Sequence, residues 1–292
     1  MSLRTLLAAV LATTTIALSA SRGTAQQFYV PNFDTTWVKD QQPFRIAGNL
    51  YYVGSYELCS YLITTPKGHI LINTGIPGSD SMIRRHVEAL GFRFGDIRIL
   101  LTNQVHFDHV GGMAAIKHAT HARLMIDEKD VPVMADGGSS DFDMGGHGRL
   151  FEPARADRVL HDRDVVALGA MEILVLHHPG HTKGACSYLF TVRDSARSYR
   201  VLIANIPSIL DDTKFPGMPA YPDVGKDYGY TLDTMPKLQF DLWLAAHGQQ
   251  FDLHQKHKQG DGYHPEAFID RAGYDYWMQT LKAQYNKKMA GQ

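Results

Sequence analysis

Hydrophobic positions along the chain fall into short runs separated by turn residues, and their period changes from run to run. After a polar, turn-rich lead ("QQPFRIAGN"), "LYYVGSYELCSYLITT" predicts strand, turn and strand; "PKG" turns the chain and "HILINTG" adds a further short strand. "SDSMIRRHVEALG" switches to helical spacing. Met82, Ile83, Val87 and Leu90 share a face there, with Ser79 or Asp80 as N-cap and Gly91 as stop. "DIRILLTN" predicts a buried strand, Gly111 and Gly112 open a helix over "MAAIKHA", "HARLMID" returns as a strand and "EKDVPVMAD" as a short helix. In the second half, "RVLHDRDVVALGAMEILVLHHPG" predicts strands joined by turns. "CSYLFTV" and "RVLIANI" flank a polar turn, and "FDLWLAAHG" ends a strand in a histidine. A final helix is predicted over residues 265–289, with Tyr274, Trp277, Leu281 and Tyr285 on one side.

This alternation predicts an α/β fold: two packed mixed sheets with helices on both outer faces, an αβ/βα four-layer sandwich. No tight repeat, low-complexity tract or interdomain linker interrupts it, so residues 26–292 are expected to form a single domain. Residues 1–25 stand apart. Arg4 precedes an apolar stretch over residues 6–20, and Gly23 and Ala25 occupy small-residue positions ahead of Gln26. That is the pattern of a cleaved secretory signal peptide, and the run is short for a membrane span of about 20 residues. A periplasmic protein, free of the membrane after cleavage, is the expectation.

Composition changes this picture little. Hydrophobic residues at 44% and charged residues at 20% describe a globular chain of 292 residues with a sizeable core. A net charge of −1 gives no basic excess for nucleic acid. No heptad or exposed apolar stripe argues for a partner subunit, so a monomer is expected. Cys59 and Cys186 both sit in strand-like apolar runs, where buried free thiols are expected rather than a bridge.

The candidate chemistry is concentrated in "NQVHFDHVGG", directly after the strand "IRILL". Gln104, His106, Asp108 and His109 place four donor side chains in six positions at a strand end, where a rigid sheet can hold a site. Imidazole and carboxylate are common zinc donors. In an extended loop alternate residues point the same way, so Gln104, His106 and Asp108 converge while His109 turns elsewhere, toward a second metal. His181, in "HHPGHTKGACSY", and His247, ending "LWLAAHG", occupy similar strand-end contexts; His118, His121, His254, His257 and His264 are read as structural or solvated.

These residues resemble the metallo-β-lactamase superfamily, whose signature is H-x-H-x-D-H with a later histidine in a G-H-T turn and another near the end. "PFRIAGNLYYVGS", "DVPVMADGGSSDF", "GHTKGACSY" and "AAHGQQFDLH" follow in the order of its subclass B3 β-lactamases, over about residues 35–285. The resemblance implies one zinc on Gln104, His106 and His181 and another on Asp108, His109 and His247, hence one or two zinc ions per chain. Gln104 departs from the usual histidine, as it does in the GOB-like members; an amide oxygen is the poorer donor, so that site should be the weaker. The implied activity is zinc-dependent hydrolysis of the amide bond of β-lactams (penicillins, cephalosporins and carbapenems), conferring antibiotic resistance. Asp108 would serve as ligand and orient the attacking water, and Ser208 would grip a substrate carboxylate. Lactonases and glyoxalase II-like hydrolases of the superfamily carry a bridging aspartate where this chain has Asn205 and Ile206. The alternative, a zinc hydrolase of another ester, lactone or thioester, predicts that missing acid. A third reading, a non-enzymatic metal-binding scaffold, rests on Gln104 alone.

Overall fold

The computed structural model describes residues 28–29 and 31–291, so the predicted signal peptide lies outside the described residues. Two sheets organise the chain. The first has seven strands in the order β1 (Phe44–Ala47), β2 (Leu50–Tyr52), β3 (Tyr61–Thr65), β4 (Gly68–Ile72), β5 (Ile97–Leu101), β6 (Arg123–Asp127) and β7 (Arg158–Leu160). It is antiparallel as far as β4 and parallel from β4 to β7. The second runs β12 (Leu242–Ala245), β11 (Ser198–Ala204), β10 (Cys186–Arg193), β9 (Met171–His177) and β8 (Val165–Leu168), with β11 and β12 its parallel pair.

Alternating side chains divide the core. Ile63, Ile70, Ile72, Ile99 and Leu101 face the second sheet and pack with Val175, Tyr188, Val201 and Ile203. Leu62, Leu71, Leu100 and Leu124, one position out of phase, face helices α1 (Asp80–Ala89) and α3 (Met113–Thr120) through Ile83, Val87, Met113 and Ile116. On the far side, helix α7 (Arg271–Met289) covers the second sheet with Tyr274, Met278 and Leu281 beside Trp243. The result is the predicted α/β sandwich. Among the described residues no helix is long and apolar enough to cross a membrane. Cys59 and Cys186 are buried free thiols.

Four local expectations need correction. "FRIA" in the lead forms the edge strand β1. Strand β7, drawn from the second-half run, pairs with β6 in the first sheet. The terminal helix is broken: residues 265–268 form a 3-10 turn, and Asp270 then caps α7 by accepting the N–H of Gly273 at 2.8 Å. Helix α5 (Val224–Thr234) was not anticipated from sequence; Gly225 and Gly229 dilute its pattern, yet Val224, Tyr228 and Leu232 are buried.

Candidate metal centre

The six predicted donors meet at the ends of β5 and β12 and in the turn between β9 and β10. The loop after β5 is fixed by amides. Asn73, at the end of β4, accepts the N–H of Asn103 at 2.9 Å through Oδ1 and donates from Nδ2 to Asn103 Oδ1 at 2.9 Å. Asn103 in turn donates from Nδ2 to the Cys186 carbonyl at 2.9 Å, tying the first sheet to the start of β10.

The extended loop expected through Asp108 ends at His106. Residues Phe107–Val110 form a helical turn, α2, and this overturns the expected convergence of Gln104, His106 and Asp108. The turn swings Asp108 and His109 together, because consecutive residues at a helix start no longer alternate as in a strand. Donor atoms of Asp108, His109 and His247 all lie within 4.8 Å of one another. Asp108 Oδ2 is 3.3 Å from Nε2 of both His109 and His247. In the other group the Gln104 amide nitrogen lies 3.3 Å from His106 Nδ1, and the rings of His106 and His181 are 4.9 Å apart between centroids. The turn depends on Gly111, where a Cβ would fall 2.1 Å from the backbone of Ile76 and Pro77.

Partners behind the donors set which ring atom faces inward. His181 Nδ1 donates to the Ser208 carbonyl at 2.8 Å, leaving Nε2 free. His106 Nε2 lies 3.3 Å from the buried Asp141 carboxylate, which is itself held by the N–H groups of Asp143 and Met144 at 2.9 and 2.7 Å. His247 Nδ1 is 3.9 Å from Glu57 Oε1, while Trp37 packs against the His247 ring at 5.6 Å between centroids. Orienting histidines through their second nitrogen is the usual arrangement around a metal.

The electrostatics follow. Burial works against charge on His106, but Asp141 overrides it and lifts the imidazole to about 9. Asp141 itself, against the upward push of burial, is held at about 2 by His106. Burial, reinforced by His106, pushes His181 down to about 3, so it is neutral at ordinary pH. Asp108, also buried, is held well below the usual carboxylate range by His109 and His247. His106 Nε2, Asp108 Oδ1, His109 Nε2 and His247 Nδ1 are buried without hydrogen-bond partners. His106 Nε2 and His247 Nδ1 face Asp141 and Glu57, whereas Asp108 and His109 belong to the group whose donor atoms all lie within 4.8 Å of one another. Buried polar groups normally find a partner, and a convergence of an aspartate with two histidines fits a divalent cation of the zinc type.

Ser208 stands where its hydroxyl is 3.3 Å from His181 Nδ1, and its carbonyl also accepts from Tyr228 at 2.8 Å. Asn205 and Ile206 are buried, and neither offers a carboxylate. His257, Asp261 and His264 form a second close donor group, but both ring nitrogens of His264 already bond backbone carbonyls, those of Gly262 and Lys256. Sequence reasoning missed Glu57, Asp141 and the Ser208 carbonyl; the "GGSSDF" loop signalled where Asp141 lies but not what it holds.

A family model described as the metallo-beta-lactamase superfamily matches residues 60–194. A solved beta-lactamase from Chitinophaga pinensis is 58% identical, with a TM-score of 0.89 over 90% of this chain and 100% of that one. The chain belongs to the metallo-beta-lactamase superfamily. Solved neighbours within it include class B3 enzymes. The class B3 di-zinc metallo-beta-lactamase LRA-12, from an Alaskan soil metagenome, is 53% identical with a TM-score of 0.87, over 89% and 99% of the two chains. The metallo-beta-lactamase GOB-18 of Elizabethkingia meningoseptica is 47% identical with a TM-score of 0.90, over 92% and 100%. The chain spans less than half the length of the first curated relatives it matches. One is a hydroxyacylglutathione hydrolase of Rhodopseudomonas palustris, 30% identical over 44% of this chain and 42% of that protein.

Proposed function

We propose that the protein hydrolyses the amide bond of β-lactam antibiotics with zinc as its metal. The observation that carries this reading is the gathering of six donors, five of them buried, into two groups, with no carboxylate at Asn205 or Ile206, on a chain whose solved neighbours include beta-lactamases. Gln104, His106 and His181 would hold one zinc, and Asp108, His109 and His247 the other. When bound, zinc supplies Lewis acidity that makes water nucleophilic near neutral pH and polarises the lactam carbonyl.

The chain's own groups supply the orientation. Ser208 keeps the proton of His181 on Nδ1, so that Nε2 can coordinate. Asp108 presents Oδ2 to two histidines, while Oδ1 has no partner and is the atom available to orient the attacking water. The Ser208 hydroxyl, 3.3 Å from His181 Nδ1, would meet a substrate carboxylate at the edge of the His181 site. The signal-peptide pattern read in residues 1–25 supports export to the periplasm.

A second reading, thioester or lactone hydrolysis, draws on the partial match to a hydroxyacylglutathione hydrolase. Purified chain assayed on a carbapenem, a homoserine lactone and an acylglutathione separates the two. Lactam turnover that stops with chelator and returns with zinc is the expected result. Turnover of the lactone or thioester alone would overturn the assignment.

A further inference from the structure

The loop carrying Gln104 and His106 and the turn carrying His181 come from different sheets, and one buried side chain touches both. Asp130 follows β6 at the start of helix α4 (Val131–Asp136) and is 2% exposed. Its Oδ2 accepts the N–H of Val105, between the two donors, at 3.0 Å, and the hydroxyl of Thr182, next to His181, at 2.7 Å. Its Oδ1 accepts the N–H of Gly184 at 2.7 Å. The approach is so close that a Cβ on Gly184 would fall 2.7 Å from the Asp130 backbone nitrogen. Burial pushes this carboxyl up to about 6, and no cation pairs with it among the described residues. A carboxylate kept in such a place needs all three donors, and they all belong to the two loops.

We propose that Asp130 is the positioning residue of the Gln104–His106–His181 site, clamping its two loops at the spacing that lets a weak amide donor and two imidazoles share one cation. This rests on the zinc reading above. The Asp108–His109–His247 group is held by α2, β12 and Glu57, none of which Asp130 touches through its side chain. Its influence is therefore selective. In Asp130→Asn one face becomes a donor, and the amide group must then confront the N–H of Gly184 or those of Val105 and Thr182.

The test is zinc titration of the full chain against a chromophoric chelator, comparing wild type with Asp130→Asn and the milder Thr182→Val, which removes one bond. Wild type is expected to take up zinc in two steps. Asp130→Asn should weaken the weaker step by about tenfold or more, as loss of outer supports does at other metal sites, and leave the tighter step within about twofold. Thr182→Val should move the same step in the same direction by less; it carries the test should Asp130→Asn not fold. Equal weakening of both steps would reduce Asp130 to a general stabiliser, and unchanged steps would remove it from the site; either overturns the proposal. Wild type that takes up no zinc would overturn the zinc reading itself, a failure seen without any variant.

Discussion

Raising the pH of the chelator-treated chain should unload His106 and cost it stability. The ring is buried, with Nε2 3.3 Å from Asp141 Oδ2. Burial opposes its charge, yet Asp141 lifts it from an ordinary 6.5 to about 9. The unfolded chain releases the same proton near 6.5, so the folded state holds it more tightly. The contribution is thus complete below pH 6.5 and disappears as pH climbs through 9. At about 1.4 kcal/mol per pH unit, a gap of about 2.5 units is worth about 3–4 kcal/mol, a sizeable part of the roughly 5–15 kcal/mol of a typical domain. Neighbouring groups do not reverse the sign. His177 and His264 are raised and add to the fall, while His109, His178 and His181 are lowered and titrate below the window. Urea midpoints between pH 6.5 and 9.5, in chelator and in excess zinc, measure the effect. The zinc-loaded chain should not share the fall, because the cation takes the proton's place and binds better as pH rises. Asp141→Asn should flatten the metal-free curve. A metal-free stability that stays level or rises over this range would refute the His106–Asp141 account.

Gln104→His should tighten the weaker zinc step, since imidazole is the better donor, and lengthen retention of a second zinc on dialysis; metal content by atomic emission checks it. Gly111→Ala should cost more than the ~1–3 kcal/mol of ordinary overpacking, because the new methyl meets backbone at Ile76 and Pro77, and soluble yield and melting temperature should both drop. Ser208→Ala keeps the carbonyl that orients His181, so zinc content should hold; losing one hydrogen bond to a substrate carboxylate should raise KM by about fivefold or more with kcat little changed. An unaltered KM would take the hydroxyl out of substrate binding.

The donors were legible by residue type and spacing, their partition less so. Two histidines and an aspartate in four positions announce metal chemistry in any conformation. Which of them share a point depends on whether the loop stays extended, and the turn at Phe107–Val110 is set by packing around Gly111. Strands β4, β5 and β10 announced themselves by dense apolar runs buried on both faces. Edge strand β1 did not, because Pro43 and Gly48 bracket it with turn chemistry. Helix α5 needs few apolar residues, being held by contacts from α7 and the turn before β12. Asp130 and Asp141 were illegible for a plainer reason: each acts on residues distant in sequence, and a lone aspartate in a polar stretch carries no sign of what it will touch.

The placement of the donors has a consequence for how a finished molecule is told from an unfinished one. Four of them precede residue 110, one waits in the turn before β10, and His247 follows β12, the last strand to be synthesised. A chain stopped before residue 247 would lack a member of the Asp108 group, and a chain whose sheets had not yet stacked would hold Gln104 and His106 apart from His181. Neither would keep metal well. If the two groups hold metal as proposed, its capture comes late, as a seal on assembly rather than a seed for it.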